Sequence, residues 1–191
     1  MFNIVGGHPA LDLANTVAPR PPGTVEEEYL PDPAALLDWA RRIELIGEAE
    51  RDAVERAWQA EPGAAESARK DVLALRELVD PVLAGERLDD LRDRWAAAVG
   101  RSVLVPVGYG ARLVVGAGLW TIGDRLADAL VDLLRHADLR RLRACPVAEG
   151  GCGWLFLDRS RNGSRRWCSM DDCGTHAKSR RLTERRRERR S

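Results

Sequence analysis

The sequence of 191 residues lacks any long hydrophobic run. A membrane helix needs roughly 20 consecutive apolar residues, and the longest apolar stretch, Leu113 to Trp120, is short and rich in glycine. Met1 to Val17 has no basic start, and polar residues and glycines interrupt its apolar residues, so no export signal is predicted. An apolar fraction of 45% is sufficient for a folded core. Because neither a membrane helix nor an export signal is predicted, we expect a soluble cytoplasmic protein.

Catalytic motifs are also missing. The sequence has no phosphate-binding loop, no nucleophile motif and no acid–base pair, and its isolated histidines His8 and His136 are assigned no role. The only compact polar set near the N-terminus is Asp12, Asn15 and Thr16, which we expect to cap or bridge backbone groups. We therefore predict that the protein is not an enzyme, with a ligand-binding or enzymatic N-terminal pocket as the alternative.

The net charge of zero hides a strong asymmetry along the chain. Residues 1–139 contain 15 Lys/Arg and 24 Asp/Glu, whereas residues 140–191 contain 15 Lys/Arg and only 6 Asp/Glu. All four cysteines lie in this basic part. The asymmetry predicts two modules, one over 1–139 and one over 140–191, with different partners.

The hydrophobic pattern predicts an α+β fold with a helix-rich N-terminal domain. Residues 1–17 are expected to be extended or partly helical, and a proline-rich loop follows over 18–33. Asp32 before Pro33 is a typical helix start, and β-branched runs around Gly108-Tyr109-Gly110 indicate a β-hairpin over 103–115. Apolar residues at helical spacing predict helices over 33–46, 48–59, 64–84, 87–99 and 121–136.

The cysteine spacing predicts a structural zinc site made by Cys145, Cys152, Cys168 and Cys173. Two pairs separated by fifteen residues suit a tetrahedral ion held between two turns, although six residues inside the first pair is more than usual. Four buried or redox-active thiols are the alternative reading. His176 is a further candidate that could replace one cysteine, or lie in solvent at the start of the last helix.

The segment between the cysteine pairs predicts a second hairpin, with strands at Trp154–Leu157 and Arg166–Cys168. Gly153 and Gly174 follow the second cysteine of each pair, where a glycine lets the turn tighten so that backbone amides can point at sulfur. The apolar residues of 140–191 are few, so the module is expected to need the metal for stability.

Cations crowd the rest of this basic module. A short basic helix is expected after Cys173, and its cations together with those of the hairpin suit phosphate and guanine edges. A solubilising tail with no specific contact is the alternative. The predicted nucleic-acid contacts are Arg159, Arg161, Arg165, Arg166, Lys178, Arg180, Arg181 and Arg185.

The run CGWLFLDRSRNGSRRWCSMDDCGTHAKSRR resembles the C-terminal zinc finger of the CGNR family, and GGHPALDLANTV resembles the opening of its partner, the ABATE domain. Proteins of this architecture are regarded as stress-induced transcription regulators of bacteria. The resemblance implies that the four cysteines bind zinc and that Asp158, Ser160, Asn162 and Arg165-Arg166 belong to the hairpin signature. Thr175-His176 replaces the Asn-Arg of the family's name-giving tetrad.

These observations together predict a transcription regulator that binds nucleic acid through a structural zinc module. The expected nucleic acid is DNA. An ABATE-like domain over 1–139 would sense a signal or mediate association, which leaves room for a small-molecule effector and for a homodimer. The alternative is a zinc-stabilised protein-interaction module whose basic tail binds an acidic partner.

Overall fold

The structure is a computed structural model that describes residues 3–20 and 25–188. Within this part, side chains are described as far as Arg180 and again for Thr183. The chain forms two compact units. The terminal unit contains Met1–Glu28 and Asp138–Ser191, and the helical unit contains Tyr29–Ala137. These units differ from the predicted division between residues 139 and 140, because the described residues up to Glu28 belong to the same unit as the C-terminal module.

Seven α-helices and six short strands are present in the described part of the chain. In chain order they are α1 (Pro9–Ala14), β1 (Val17–Ala18), β2 (Glu27–Glu28), α2 (Pro33–Arg42), α3 (Glu48–Ala60), α4 (Ala64–Leu83), α5 (Leu88–Gly100), β3 (Val103–Val107), β4 (Gly110–Val114), α6 (Thr121–His136), β5 (Leu142–Ala144), β6 (Leu155–Leu157) and α7 (Thr175–Glu188). The predicted α+β fold is confirmed. No helix among the described residues is long and apolar enough to cross a membrane.

The helices of the helical unit follow their predicted limits closely. Asp32 caps α2, accepting a hydrogen bond from the Ala35 amide at 2.8 Å, and α2 ends at Arg42, earlier than predicted. Pro81 does not stop α4, which ends two residues later. The core of this unit is built from one apolar stripe on α4 and one on α6, whose buried members are Val72, Leu75, Leu78, Val79, Ile122, Leu126, Leu130 and Leu133.

The predicted first hairpin is confirmed as the antiparallel pair β3–β4, with Leu104 opposite Leu113. Both faces of this hairpin are largely exposed, and Leu104 has 70% of its surface accessible. The predicted apolar stripe of α5 is only partly buried, because Leu88 and Val99 are exposed whereas Leu91 and Ala98 face the core.

The prediction of the second hairpin is wrong about the strand that pairs with Trp154–Leu157. β6 pairs with β5, which precedes the first cysteine, so that Leu142 lies opposite Leu157. Arg166–Cys168 is not a strand. The physical reason is the loop after β6, where the Asp158 carboxylate accepts hydrogen bonds from the backbone amides of Ser160 at 2.8 Å and Arg165 at 3.0 Å and closes the loop on itself.

Candidate metal centre and basic surface

The four cysteine sulfurs form one compact cluster in the terminal unit. The Sγ atoms of Cys145, Cys152, Cys168 and Cys173 all lie within 4.8 Å of one another. Cys168 Sγ is 3.4 Å from Cys152 Sγ and 3.6 Å from Cys173 Sγ. Zinc–sulfur bonds of about 2.3 Å in a tetrahedron place sulfur atoms about 3.8 Å apart, so the cluster fits one zinc ion.

The first cysteine pair is positioned by the β5–β6 pairing. Cys145 directly follows β5, and its amide donates to the Trp154 carbonyl oxygen at 2.9 Å, while the Gly153 amide donates to the Cys145 carbonyl at 3.2 Å. These bonds continue the β-ladder beyond the strands and hold Cys145 beside Cys152. The ladder therefore closes the long loop between the two cysteines, which explains how six intervening residues are accommodated.

Glycines beside the cysteines have distinct roles. Gly153 has a φ of +78°, and the Trp154 amide after it bonds the Cys152 sulfur, as predicted. The corresponding role of Gly174 stays a prediction; its own amide donates to the Ser169 carbonyl at 3.0 Å. Gly151 was missed, although a Cβ there would lie 2.7 Å from Cys145 Sγ. The paired glycines before Cys152 were the available signal.

The close packing of the four thiols shifts their pKa values in opposite directions. Hydrogen bonds from the thiols of Cys152 and Cys168, assisted by backbone amides, lower the pKa of Cys145 to about 2. The hydrogen bond to this thiolate raises the pKa of Cys152 to about 12 and also raises the pKa of Cys168. Burial, followed by the charge of Cys145, raises the pKa of Cys173. Four thiolates therefore need a cation between them, and this donor set is the one that structural zinc prefers.

The second cysteine pair leads directly into the basic helix. Ser169 opens a tight helical turn over Met170–Gly174, and its hydroxyl accepts a hydrogen bond from the Asp172 amide at 3.3 Å. α7 begins at the next residue. His176 points to solvent with 77% of its side chain accessible, 3.7 Å from Asp172. The metal-binding group among the described residues therefore contains the four cysteines and not His176.

The N-terminal segment completes the fold around the metal centre. The Asn15 side-chain amide donates to the Leu155 carbonyl and accepts from the Leu155 amide, both at 2.8 Å, so it pairs with β6 as a neighbouring strand would. The Trp154 indole donates to the Val17 carbonyl at 2.8 Å, and the Arg20 amide donates to the Cys152 carbonyl at 2.9 Å. The buried apolar side chains of α1, such as Leu11 and Leu13, add to the small core that residues 140–191 supply.

The remaining members of the N-terminal polar set also make backbone contacts. Asp12 accepts hydrogen bonds from the amides of Gly6 at 2.8 Å and Val5 at 3.2 Å, and its burial raises its pKa. The Thr16 hydroxyl donates to the Leu13 carbonyl at 2.7 Å. The predicted bridging role of these side chains is confirmed. His8, which was assigned no role, caps α1 by accepting from the Ala10 amide at 3.3 Å.

Two family models match the chain. Residues 7–137 match the ABATE family, described as "Putative stress-induced transcription regulator", and residues 141–186 match the CGNR zinc finger. This chain belongs to the ABATE family. The CGNR match and the cysteine cluster together identify a structural zinc site. A search of curated proteins found no significant match.

The two matched segments of this ABATE-family protein do not correspond to its two compact units. The ABATE match begins at residue 7, whereas residues up to Glu28 pack within the terminal unit together with the zinc finger. The signature segments at the two ends of the chain therefore meet in space. The resemblance at residues 6–17 named the family correctly but gave no sign of this contact.

Some predicted nucleic-acid contacts in the ABATE-family protein are engaged inside the terminal unit. The Arg165 guanidinium lies 4.3 Å from the centroid of the buried Phe156 ring and donates to the carbonyl oxygens of Trp167 and Cys168. Arg159 donates to the Gly7 carbonyl at 2.7 Å. Arg141, which was not singled out, donates to the carbonyls of Asp158 and Ser160, both at 3.0 Å. These arginines hold the loop that follows β6.

The other predicted cations face outward. Arg161, Lys178 and Arg180 are exposed and make no side-chain hydrogen bond or ion pair with any described residue. Arg166 is exposed, pairs with Glu149 and lies 5.8 Å from the Trp167 ring centroid. The side chains of Arg181 and Arg185 lie outside those described. Thr175, where the family has asparagine, donates through its hydroxyl to the Met170 carbonyl at 3.0 Å.

Proposed function

We propose that this ABATE-family protein is a transcription regulator that binds nucleic acid, with DNA as the first candidate, through its zinc-held terminal unit. The observation that carries the proposal is the set of exposed cations Arg161, Lys178 and Arg180 on two segments anchored at the metal centre. Cations without internal partners are available to replace the counterions of a phosphate backbone. The family description supports the same conclusion.

The packing of the cations refines the predicted interface. Arg165 and Arg159 donate to carbonyl oxygens of their own unit, so their removal would change the fold as well as the charge. We therefore assign the contacts to Arg161, Arg166, Lys178 and Arg180. Arginine is well suited to this role because its planar fork matches phosphate oxygens and guanine edges.

A salt titration of binding tests the proposal. Fluorescence anisotropy of the zinc-loaded full chain on a labelled 20-base-pair duplex should give an affinity that falls steeply with salt. Arg161→Ala combined with Lys178→Ala should reduce the log–log slope by about 1.8, because each lost phosphate contact contributes about 0.9. A flat slope for the unaltered protein would count against nucleic-acid binding.

The matched control removes the same types of charge from the helical unit. Arg56 and Lys70 are exposed on α3 and α4, and neither makes an ion pair with a described residue. Arg56→Ala combined with Lys70→Ala should leave the slope nearly unchanged. An equal loss in both double variants would show that net charge, and not the zinc-held surface, governs the affinity. Recovery of an acidic protein without nucleic acid in a pull-down would favour the interaction-module alternative.

We also propose that the protein is not an enzyme. The support is the use of Asp12, Asn15 and Thr16 as backbone-binding groups. Turnover by the zinc-loaded protein that is lost on substitution of one of these residues would overturn this proposal. The predicted homodimer stays a prediction, which sedimentation velocity would test.

A small-molecule effector of the helical unit is a second candidate, supported by one cavity. It has a volume of about 220 Å³ and is lined mainly by apolar groups of α2, α3 and α4, including Leu37 and Trp58. Typical ligand sites have roughly 300–1,000 Å³, so the effector would be small. A screen of small apolar compounds by thermal shift, with Leu37→Trp as a variant that fills the cavity, would test this candidate.

A further inference from the structure

The long loop between the first two cysteines receives cations from two other segments. Val147–Glu149 forms a short helical turn, and Gly150 follows it with a φ of +88°. The guanidinium of Arg166 pairs with the Glu149 carboxylate. The Arg180 guanidinium from α7 lies against Gly150, because a Cβ at that position would overlap Arg180 Nη1. Two predicted nucleic-acid contacts therefore converge on consecutive loop residues.

Glu149 places a carboxylate beside two of these cations. Its side chain is 29% accessible and that of Arg166 is 55% accessible, so the pair is open to solvent. Carboxylate and phosphate present similar oxygen pairs to the guanidinium fork, and both bind it through charge-assisted hydrogen bonds. A partly exposed pair of this kind is weak and is screened by salt, so a phosphate can displace the carboxylate.

We propose that Glu149 occupies the position of a backbone phosphate and competes with nucleic acid for Arg166. On binding, a phosphodiester group replaces the carboxylate at Arg166, and Arg180 beside Gly150 supplies a second cationic contact. Glu149 thereby lowers the affinity for every sequence, because it competes for a phosphate contact and reads no base. This inference rests on the proposed nucleic-acid binding and adds an internal competitor to it.

Removal of the competing charge tests the inference. Glu149→Gln keeps the shape of the side chain, and we expect it to bind the labelled duplex about threefold to tenfold more tightly at low salt. Glu86→Gln in the helical unit makes the same change of net charge at an exposed side chain without an ion-pair partner among the described residues. That control should change the affinity by less than about twofold, since it lies outside the proposed interface.

A second variant links the gain to Arg166. In Glu149→Gln combined with Arg166→Ala, the gain in affinity should disappear, because the released guanidinium is absent. Zinc content and circular dichroism of each variant would show that the terminal unit is folded. A gain that survives removal of Arg166 would overturn the proposed competition.

The outcomes separate this inference from the function on which it rests. Binding by the unaltered protein with equal affinities for Glu149→Gln and Glu86→Gln would overturn the inference and leave nucleic-acid binding intact. If Glu149→Gln binds the duplex and the unaltered protein does not, the inference is supported in its strongest form, because the carboxylate then blocks nucleic-acid binding. Binding by neither protein, with zinc present and the fold intact, would overturn both.

Discussion

The helical unit and the terminal unit are stabilised by different interactions. The helical unit buries apolar stripes of long helices, and its one fully buried carboxylate, Asp124, pairs with Arg94 at 2.8 Å and with Arg101. The terminal unit has short elements, and side chains such as Asn15 and Asp158 bind its backbone directly. The burial of apolar helix faces therefore stabilises the helical unit, whereas a metal ion and polar bridges between distant segments stabilise the terminal unit.

Removal of zinc should produce the largest difference in stability between the two units. Structural zinc contributes on the order of 10–16 kcal/mol in small zinc peptides, so a chelator or Cys168→Ala should unfold the terminal unit. The helical unit should persist, because its core contains no metal ligand. Hydrogen exchange followed by mass spectrometry should show lost protection over 5–18 and 142–174 and retained protection over 64–83 and 121–136.

The reverse experiment perturbs the helical unit alone. Leu130 on α6 is 1% exposed, and Leu130→Ala should cost about 2–5 kcal/mol through lost burial and a residual cavity. Zinc content should be unchanged. Loss of zinc from this variant, or full protection of both units in the metal-free protein, would contradict the separation.

The same contrast explains what the sequence could predict. The limits of α3, α4 and α6 followed from apolar spacing, capping residues and glycines, all of which act within a few residues. The four zinc ligands followed from the chemistry of cysteine. The pairing of β5 with β6 and the contact of Asn15 with Leu155 did not, because they join segments separated by up to 140 residues.

A substitution at Asn15 tests whether the N-terminal segment belongs to the zinc-held unit. Asn15 is 1% exposed, and Asn15→Ala would leave the amide and the carbonyl of Leu155 without partners. The cost should be about 2–4 kcal/mol, since each unsatisfied buried group costs about 1–3 kcal/mol. Competition with a chromophoric chelator should show weaker zinc binding.

The control for this test is an asparagine within the same unit. Asn162 is exposed, and its side chain makes no hydrogen bond with a described residue, so Asn162→Ala should change zinc affinity little. Equal zinc affinities for the unaltered protein and Asn15→Ala would show that the metal centre is independent of residues 3–18. The terminal unit would then be a looser association than its hydrogen bonds indicate.

The smallest expected effect concerns an ion pair of the helical unit and depends on pH. The hydrogen bond from Arg125 lowers the pKa of Glu50 to about 2, against an ordinary value of 4.5. A carboxyl group with a lowered pKa in the folded state stabilises that state above its unfolded pKa, and the contribution is lost as pH falls from 4.5 to about 2. Because Glu50 is 45% accessible, solvent screening reduces this contribution to about 1 kcal/mol at pH 7.

Urea unfolding of Glu50→Gln at several pH values would measure that contribution in the helical unit. The variant should be less stable than the unaltered protein at pH 7, and the difference should shrink below pH 4.5 because protonation makes Glu50 neutral, like the glutamine that replaces it. Zinc is displaced from thiolates by protons in the same range, so protection of α4 and α6 must be followed and not the whole chain. A difference that persists unchanged at pH 2, or that Glu86→Gln reproduces, would show that the Glu50–Arg125 pair is not its source.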